Sequence, residues 1–217
     1  MVLSFFRGDD GVFDTIDRQV TEMLGACRHA FDLASSALVS GDDIDAIGED
    51  VRSTDRIVNQ LEEDVRRELV VHAAVQGGTD IGIVLSSLLV VKKLERVGDQ
   101  CKNIFDLADQ GVRITGDERA ELDEDRRIVS ALFAEAVEVL AARDEPAIAG
   151  YTERAEALMA TYDARVNDLL GSDRPSSWGV PRAMLARYLK RIVANLDGCA
   201  RVVSTPLDRS EPVDIDE

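Results

Sequence analysis

The stretch that decides the fold runs from Thr79 to Gly111, and its centre reads Leu94-Glu95-Arg96-Val97-Gly98-Asp99-Gln100-Cys101-Lys102-Asn103-Ile104. Its first half, Ile81 to Val91, is apolar nearly all round and predicts a helix buried on most sides. From Lys92 to Asp109 the pattern turns amphipathic. Leu94, Val97, Gly98, Cys101, Ile104, Phe105 and Ala108 recur on one side at helical spacing. Glu95, Asp99, Asn103 and Asp106 line the neighbouring flank, with Lys92 and Lys102 among them. A helix that is apolar at one end and carries a row of oxygen groups at the other needs several partner helices.

Those partners are legible on either side. A first helix over about 13–39 carries Ile16, Val20, Leu24, Cys27, Phe31, Ala34 and Leu38, and Gly41-Asp42-Asp43 stops it. A second, about 44–75, has the stripe Ile47, Val51, Thr54, Val58, Leu61, Val65 and Leu69. Gly77-Gly78 ends it, and Thr79 or Asp80 caps the third. Gly116-Asp117 leads into a fourth, about 118–142, with Leu122, Ile128, Val129, Leu132, Phe133, Ala136 and Leu140. Pro146 suits the first turn of a fifth, about 146–170, striped by Ile148, Tyr151, Ala155, Leu158, Tyr162, Val166 and Leu169. A breaker-rich loop over 171–181 follows, then a sixth helix, about 181–204, with Leu185, Leu189, Ile192, Leu196, Cys199 and Val203. Nothing alternates with period two over a useful length, so the fold class is all-α.

The halves repeat. Phe31, Ala34, Leu38 and Asp42 match Phe133, Ala136, Leu140 and Asp144 at one offset. Asp55, Val58, Asn59 and Leu61 match Asp163, Val166, Asn167 and Leu169, and Leu94-x-Arg96 matches Leu189-x-Arg191. The three pairs fall in the same order, so the architecture expected is two tandem three-helix bundles of antiparallel neighbours, 1–112 and 113–205. The acidic tail 206–217 is expected to be disordered.

A net charge of −17 repels phosphates and anionic lipid, which argues against nucleic acid as a partner and favours cations or basic protein surfaces. The same composition also suits a plain, highly soluble helical protein. The longest apolar run is about half a bilayer span, and the N-terminus has no basic region before an apolar core. The expectation is a soluble cytoplasmic protein with no membrane insertion. Cys27, Cys101 and Cys199 are odd in number and sit in apolar stripes, as free buried thiols do.

Asp55, Asn59 and Glu62 on the second helix, and Glu95, Asp99 and Asn103 on the third, occupy flanks that face each other if the helices pack antiparallel. Oxygen ligands on adjacent helices are how bundles hold hard or borderline cations. Lysine pairing along the same face, Lys92 with Glu95 and Lys102 with Asp99 and Asp106, gives the alternative of an ordinary solvated surface. In the second half Lys190, Ala194 and Gly198 stand where Glu95, Asp99 and Asn103 stand, and Asp197 is out of register, so a second multinuclear site is not expected. His29 and His72 lack the Glu-x-x-His spacing of a di-iron bundle and read as surface or boundary residues. No phosphate-binding glycine loop or nucleophile elbow is present. Trp178 reads either as a partner contact or as a lid on the end of the second bundle.

The run from Leu94 to Ile104, with Asp55-x-x-Val58-Asn59-x-Leu61 before it, resembles the PhoU family of phosphate-uptake regulators. The resemblance implies a regulator and not an enzyme. Relatives pass information between the ATPase subunit of a phosphate ABC transporter and a sensor histidine kinase, repressing the phosphate-starvation response. It also implies metal ions (Fe, Zn, Mg or Mn) on Glu95 and Asp99 first, then Asp55, with Asn59 and Asn103. Charge on that face, metal-loaded or not, would dock on a basic surface of the transporter ATPase or kinase. A homodimer is compatible with the sequence. The alternatives are a metal-storage or metal-dependent hydrolytic protein built on the Glu95/Asp99 face, and a helical scaffold with no metal.

Overall fold

The computed structural model describes residues 11–40, 43–76 and 80–204. Among them are six helices and no strand: α1 (Gly11–Ser40), α2 (Ile44–Gln76), α3 (Ile81–Asp109), α4 (Asp117–Ala142), α5 (Glu145–Leu170) and α6 (Ser176–Ser204). The expected features at Gly41, Asp42, Gly77, Gly78, Thr79 and the tail 206–217 lie outside the described residues.

The first three helices pack against one another, and α5 packs against α6; α4 leans on α1 and α6 more than on α5. The two bundles meet through α1 against α4 and α3 against α6, and one apolar core runs through both. Both contacts are antiparallel. Arg28 donates to Ser130 Oγ (2.9 Å) while Arg126, further back on α4, donates to Ser35 Oγ (3.2 Å), further on along α1. The Cys199 thiol reaches Val90 O at 3.8 Å, whereas Tyr188 lies in the field of Asp106. Every stripe residue of α1 and α6 named above is buried. On α5, Leu158, Val166 and Leu169 are only half-buried, because α4 stands off from it.

The amphipathic half of α3 is as expected, with Leu94, Val97, Gly98, Cys101, Ile104, Phe105 and Ala108 all buried. Its first half is not covered all round. Ile81, Leu85 and Leu89, one turn apart, are 49%, 43% and 44% exposed. Helices α1, α2 and α6 cover three sides of α3, and this row lies on the fourth.

Three local expectations are corrected. Asp80 precedes α3, and its carbonyl accepts from Val84 N (3.0 Å), but its side chain makes no cap. The carboxylate turns instead to His72 Nε2 at 3.1 Å. His72 is therefore not a surface residue: it extends the stripe Val58, Val65, Leu69 by three positions and is buried edge-on to Phe13, with ring centroids 4.9 Å apart. The loop before α6 is shorter than expected. Trp178 N and Gly179 N both bond Pro175 O (2.9 and 3.0 Å), so the helix begins at Ser176 and Pro181 sits inside it. A proline one turn into a helix forfeits a single backbone hydrogen bond, and Trp178 stacked between arginines holds the preceding turn. Downstream of α4, Asp144 caps α5 by accepting from Ala147 N (2.9 Å), with Pro146 in the first turn.

Candidate functional site

The oxygen row lies in the groove between α2 and α3. Asp55, Glu62 and Glu95 are mostly buried, with side chains 16%, 11% and 15% exposed, while Asp99 is 43% exposed. The antiparallel packing brings them together as expected, in two tiers. In one, Lys102 Nζ stands 3.4 Å from Asp55 Oδ2 and 3.4 Å from Asp99 Oδ1, and Asn59 donates its amide to Asp55 Oδ2 (3.4 Å). In the other, Lys92 Nζ stands 2.8 Å from Glu95 Oε2 and 3.9 Å from Glu62 Oε1, and Arg66 adds a contact to Glu62 at 3.4 Å. Asn103 is half-buried one turn beyond Asp99. Glu95 Oε2 is shut off from water and accepts no hydrogen bond, so Lys92 holds it by charge alone.

Each lysine thus bridges the two helices, which pairing read along one helix did not anticipate. The Lys102 ammonium is held above its ordinary value: burial pulls it down, and Asp55 and Asp99 together outweigh that pull. Gly98, beneath the groove, faces Val58.

The metal expectation can be set against this donor set. The four carboxylates are divided into two pairs, each closed on an ammonium group. Among the described residues no three His, Cys, Asp or Glu side chains gather as a metal ion needs. Arranged in this way, Glu95, Asp99, Asp55, Asn59 and Asn103 do not fit a metal ion.

The corresponding groove of the second bundle is closed the same way. Lys190, where Glu95 stands in the first, pairs with Asp163, and Arg187 adds a contact at 3.8 Å. Gly198, where Asn103 stands, leaves room for Lys93, which crosses from α3 onto α6; a Cβ there would run into the lysine. Asp197 is buried, accepting from Thr152 Oγ1 (2.7 Å) and Arg201 Nε (2.7 Å), and ties α5 to α6. Asn167 is exposed, with its carbonyl taken by Gly171 N at 3.1 Å.

The cysteines are free and buried. Burial pushes all three thiols up, Cys199 to about 12, so they remain protonated and unreactive. His29 is exposed.

Residues 20–108, from the middle of α1 to the end of α3, match the model of the PhoU domain. That segment is similar to the PhoU domain. It contains the whole groove, from Asp55 to Asn103. The PhoU fold extends over both bundles. The crystal structure of PhoU from Pseudomonas aeruginosa superposes with a TM-score of 0.75 at 20% identity, over 89% of this chain and 95% of that one. The phosphate transport system regulatory protein PhoU from Streptococcus pneumoniae superposes with a TM-score of 0.71 at 17% identity, over 93% and 98%. No curated protein matches the chain by sequence. No helix among the described residues is long and apolar enough to cross a membrane.

Proposed function

We propose that this protein regulates phosphate uptake by binding other proteins. It couples the ATPase subunit of a phosphate ABC transporter to a sensor histidine kinase and represses the phosphate-starvation response in the cytoplasm. The PhoU-domain match over 20–108 carries this reading, because the matched segment includes the entire carboxylate groove. The groove presents Asp99 at its open edge, on a chain of net charge −17, which suits a basic partner surface. Lys92 and Lys102, rather than bound metal ions, set the charge that the groove shows. The halves 1–112 and 113–205 are two copies of one duplicated unit, the second adapted by Lys190 and Gly198.

Binding of the full chain to an immobilised transporter ATPase subunit tests the reading. Salt-sensitive binding that weakens in Asp99→Lys supports it. Absence of binding to both the ATPase subunit and the kinase at low salt rejects it. The metal-storage or hydrolytic alternative has no observation in its favour, and phosphatase turnover on added metal is the result that would revive it.

A further inference from the structure

The second bundle holds a cavity unrelated to the groove. Because α4 stands off from α5, a space of about 280 Å³ opens between them, floored by α6. Its floor is apolar, formed by Leu122, Leu185 and Ala186. Its walls are charged. Arg165 bridges to buried Asp125 and to Glu121 (2.7 Å), and Tyr162 donates its hydroxyl to Asp125 (3.3 Å). Arg182 holds Glu118 with two hydrogen bonds and lies with its Cζ 4.5 Å from the centre of the Trp178 ring.

The charge does not balance. Glu118, Glu121, Asp125 and Asp168 line the cavity against two guanidinium groups, Arg165 and Arg182. Glu118 and Asp125 are satisfied by those arginines, Glu121 shares one of them, and Asp168 has no cationic partner among the described residues. Arg174, an exposed arginine of the loop before α6, rests with its Cζ 4.6 Å from the Trp178 ring and within the field of Glu118, with no hydrogen bond among the described residues.

We propose that the cavity between α4, α5 and α6 receives an arginine or lysine side chain of a partner polypeptide. The apolar floor takes the aliphatic stem, and Glu121 and Asp168 at the mouth take the cationic head. The volume is below the range of about 300–1,000 Å³ usual for cofactor pockets and suits one long side chain. Leu169, which lines the cavity and is half-buried, gives a peptide apolar surface that a free amine would leave uncovered. The charge of −17 draws a basic partner in from a distance. This inference concerns a site outside the matched PhoU domain and does not depend on the regulatory reading.

Trp178 is the single tryptophan of the chain and reports on the site directly. The full chain is titrated with a short arginine peptide, with the same peptide carrying citrulline, and with spermidine, while tryptophan emission is followed at low salt. The expected result is a saturable change with the arginine peptide and none with the citrulline peptide. Affinity should fall by at least about tenfold in Glu121→Gln/Asp168→Asn, which removes both carboxylates that take the cationic head. It should be unchanged in Glu49→Gln, an exposed carboxylate of α2 that does not line the cavity. Both substituted carboxylates at the cavity are exposed, and unchanged helical circular dichroism verifies the fold. No saturable change, or equal affinity in the double variant, overturns the proposal. Spermidine binding as tightly as the peptide overturns the assignment to a polypeptide.

Discussion

Phe31 of α1 and Phe133 of α4, equivalent positions of the two halves, meet ring to ring with centroids 5.9 Å apart and an angle of 37° between their planes. A two-fold relation between the halves would bring such positions together. The antiparallel packing of α1 on α4 and of α3 on α6 is what such a relation produces. The duplication proposed for the two halves would also account for how the bundles are joined. Both rings are fully buried, so Phe31→Ala and Phe133→Ala should each cost about 3–5 kcal/mol in urea unfolding. The double variant should cost less than the sum, because the second truncation no longer breaks a ring pair.

Two glycines on the same bundle should respond in opposite directions to alanine. A Cβ on Gly48 would stand 2.7 Å from the buried Phe105 ring, so Gly48→Ala should destabilise by about 1–3 kcal/mol. At Gly98 a Cβ would meet Val58 Cγ1 at 3.5 Å, an ordinary contact, and alanine restores helix propensity. Gly98→Ala should stabilise by about 0.5–1 kcal/mol. Chemical unfolding of the two variants beside the parent reads both signs.

The lysines of the groove make a third prediction. The parent's thermal midpoint should be the same in EDTA and in millimolar manganese, because each carboxylate pair already has its cation. Lys92→Met/Lys102→Met leaves like charges facing across the groove. Its midpoint should fall in EDTA and rise when manganese is added. A parent midpoint that climbs with manganese would show that metal displaces the lysines.

Acid should act at the cavity of the second bundle. The hydrogen bonds from Arg182 hold Glu118 below its ordinary carboxylate value of 4.5 in the folded chain, against the opposing effect of burial. A depressed native value stabilises the fold above 4.5, and that stabilisation is lost as pH falls through the native value. The parent should lose stability below pH 4.5 more steeply than Glu118→Gln, with tryptophan emission changing in the same range as Arg182 is released from Glu118.

The legible part of this fold was the part with strong helical periodicity. The stripes of α1 and α6 and the lower half of α3 stand in the structure as the spacing predicts, because each is covered by neighbours on the side its apolar residues define. The upper half of α3 misled, since composition shows which residues are apolar and not which side a neighbour leaves open. His72 was misplaced because a histidine at the end of an apolar stripe reads as a boundary residue, and nothing local announces Asp80 as its partner eight positions later. In the groove, the row from Glu95 to Asn103 and the flank from Asp55 to Glu62 were found. The lysines were assigned to their own helix, because i, i+3 spacing is visible in sequence and a bridge from Lys102 to Asp55 is not. The cavity went unseen for the same reason: Asp125 looks like one acid among many on α4 until Arg165 and Tyr162 of α5 are placed against it.

The most direct measurement is the output of a phosphate-starvation reporter in cells from which this chain has been deleted, grown with plentiful phosphate. The regulatory account predicts a reporter that is on without the chain, silenced by restoring the parent, and still on when Asp99→Lys is restored at equal abundance. A reporter that stays off in the deleted cells would contradict it.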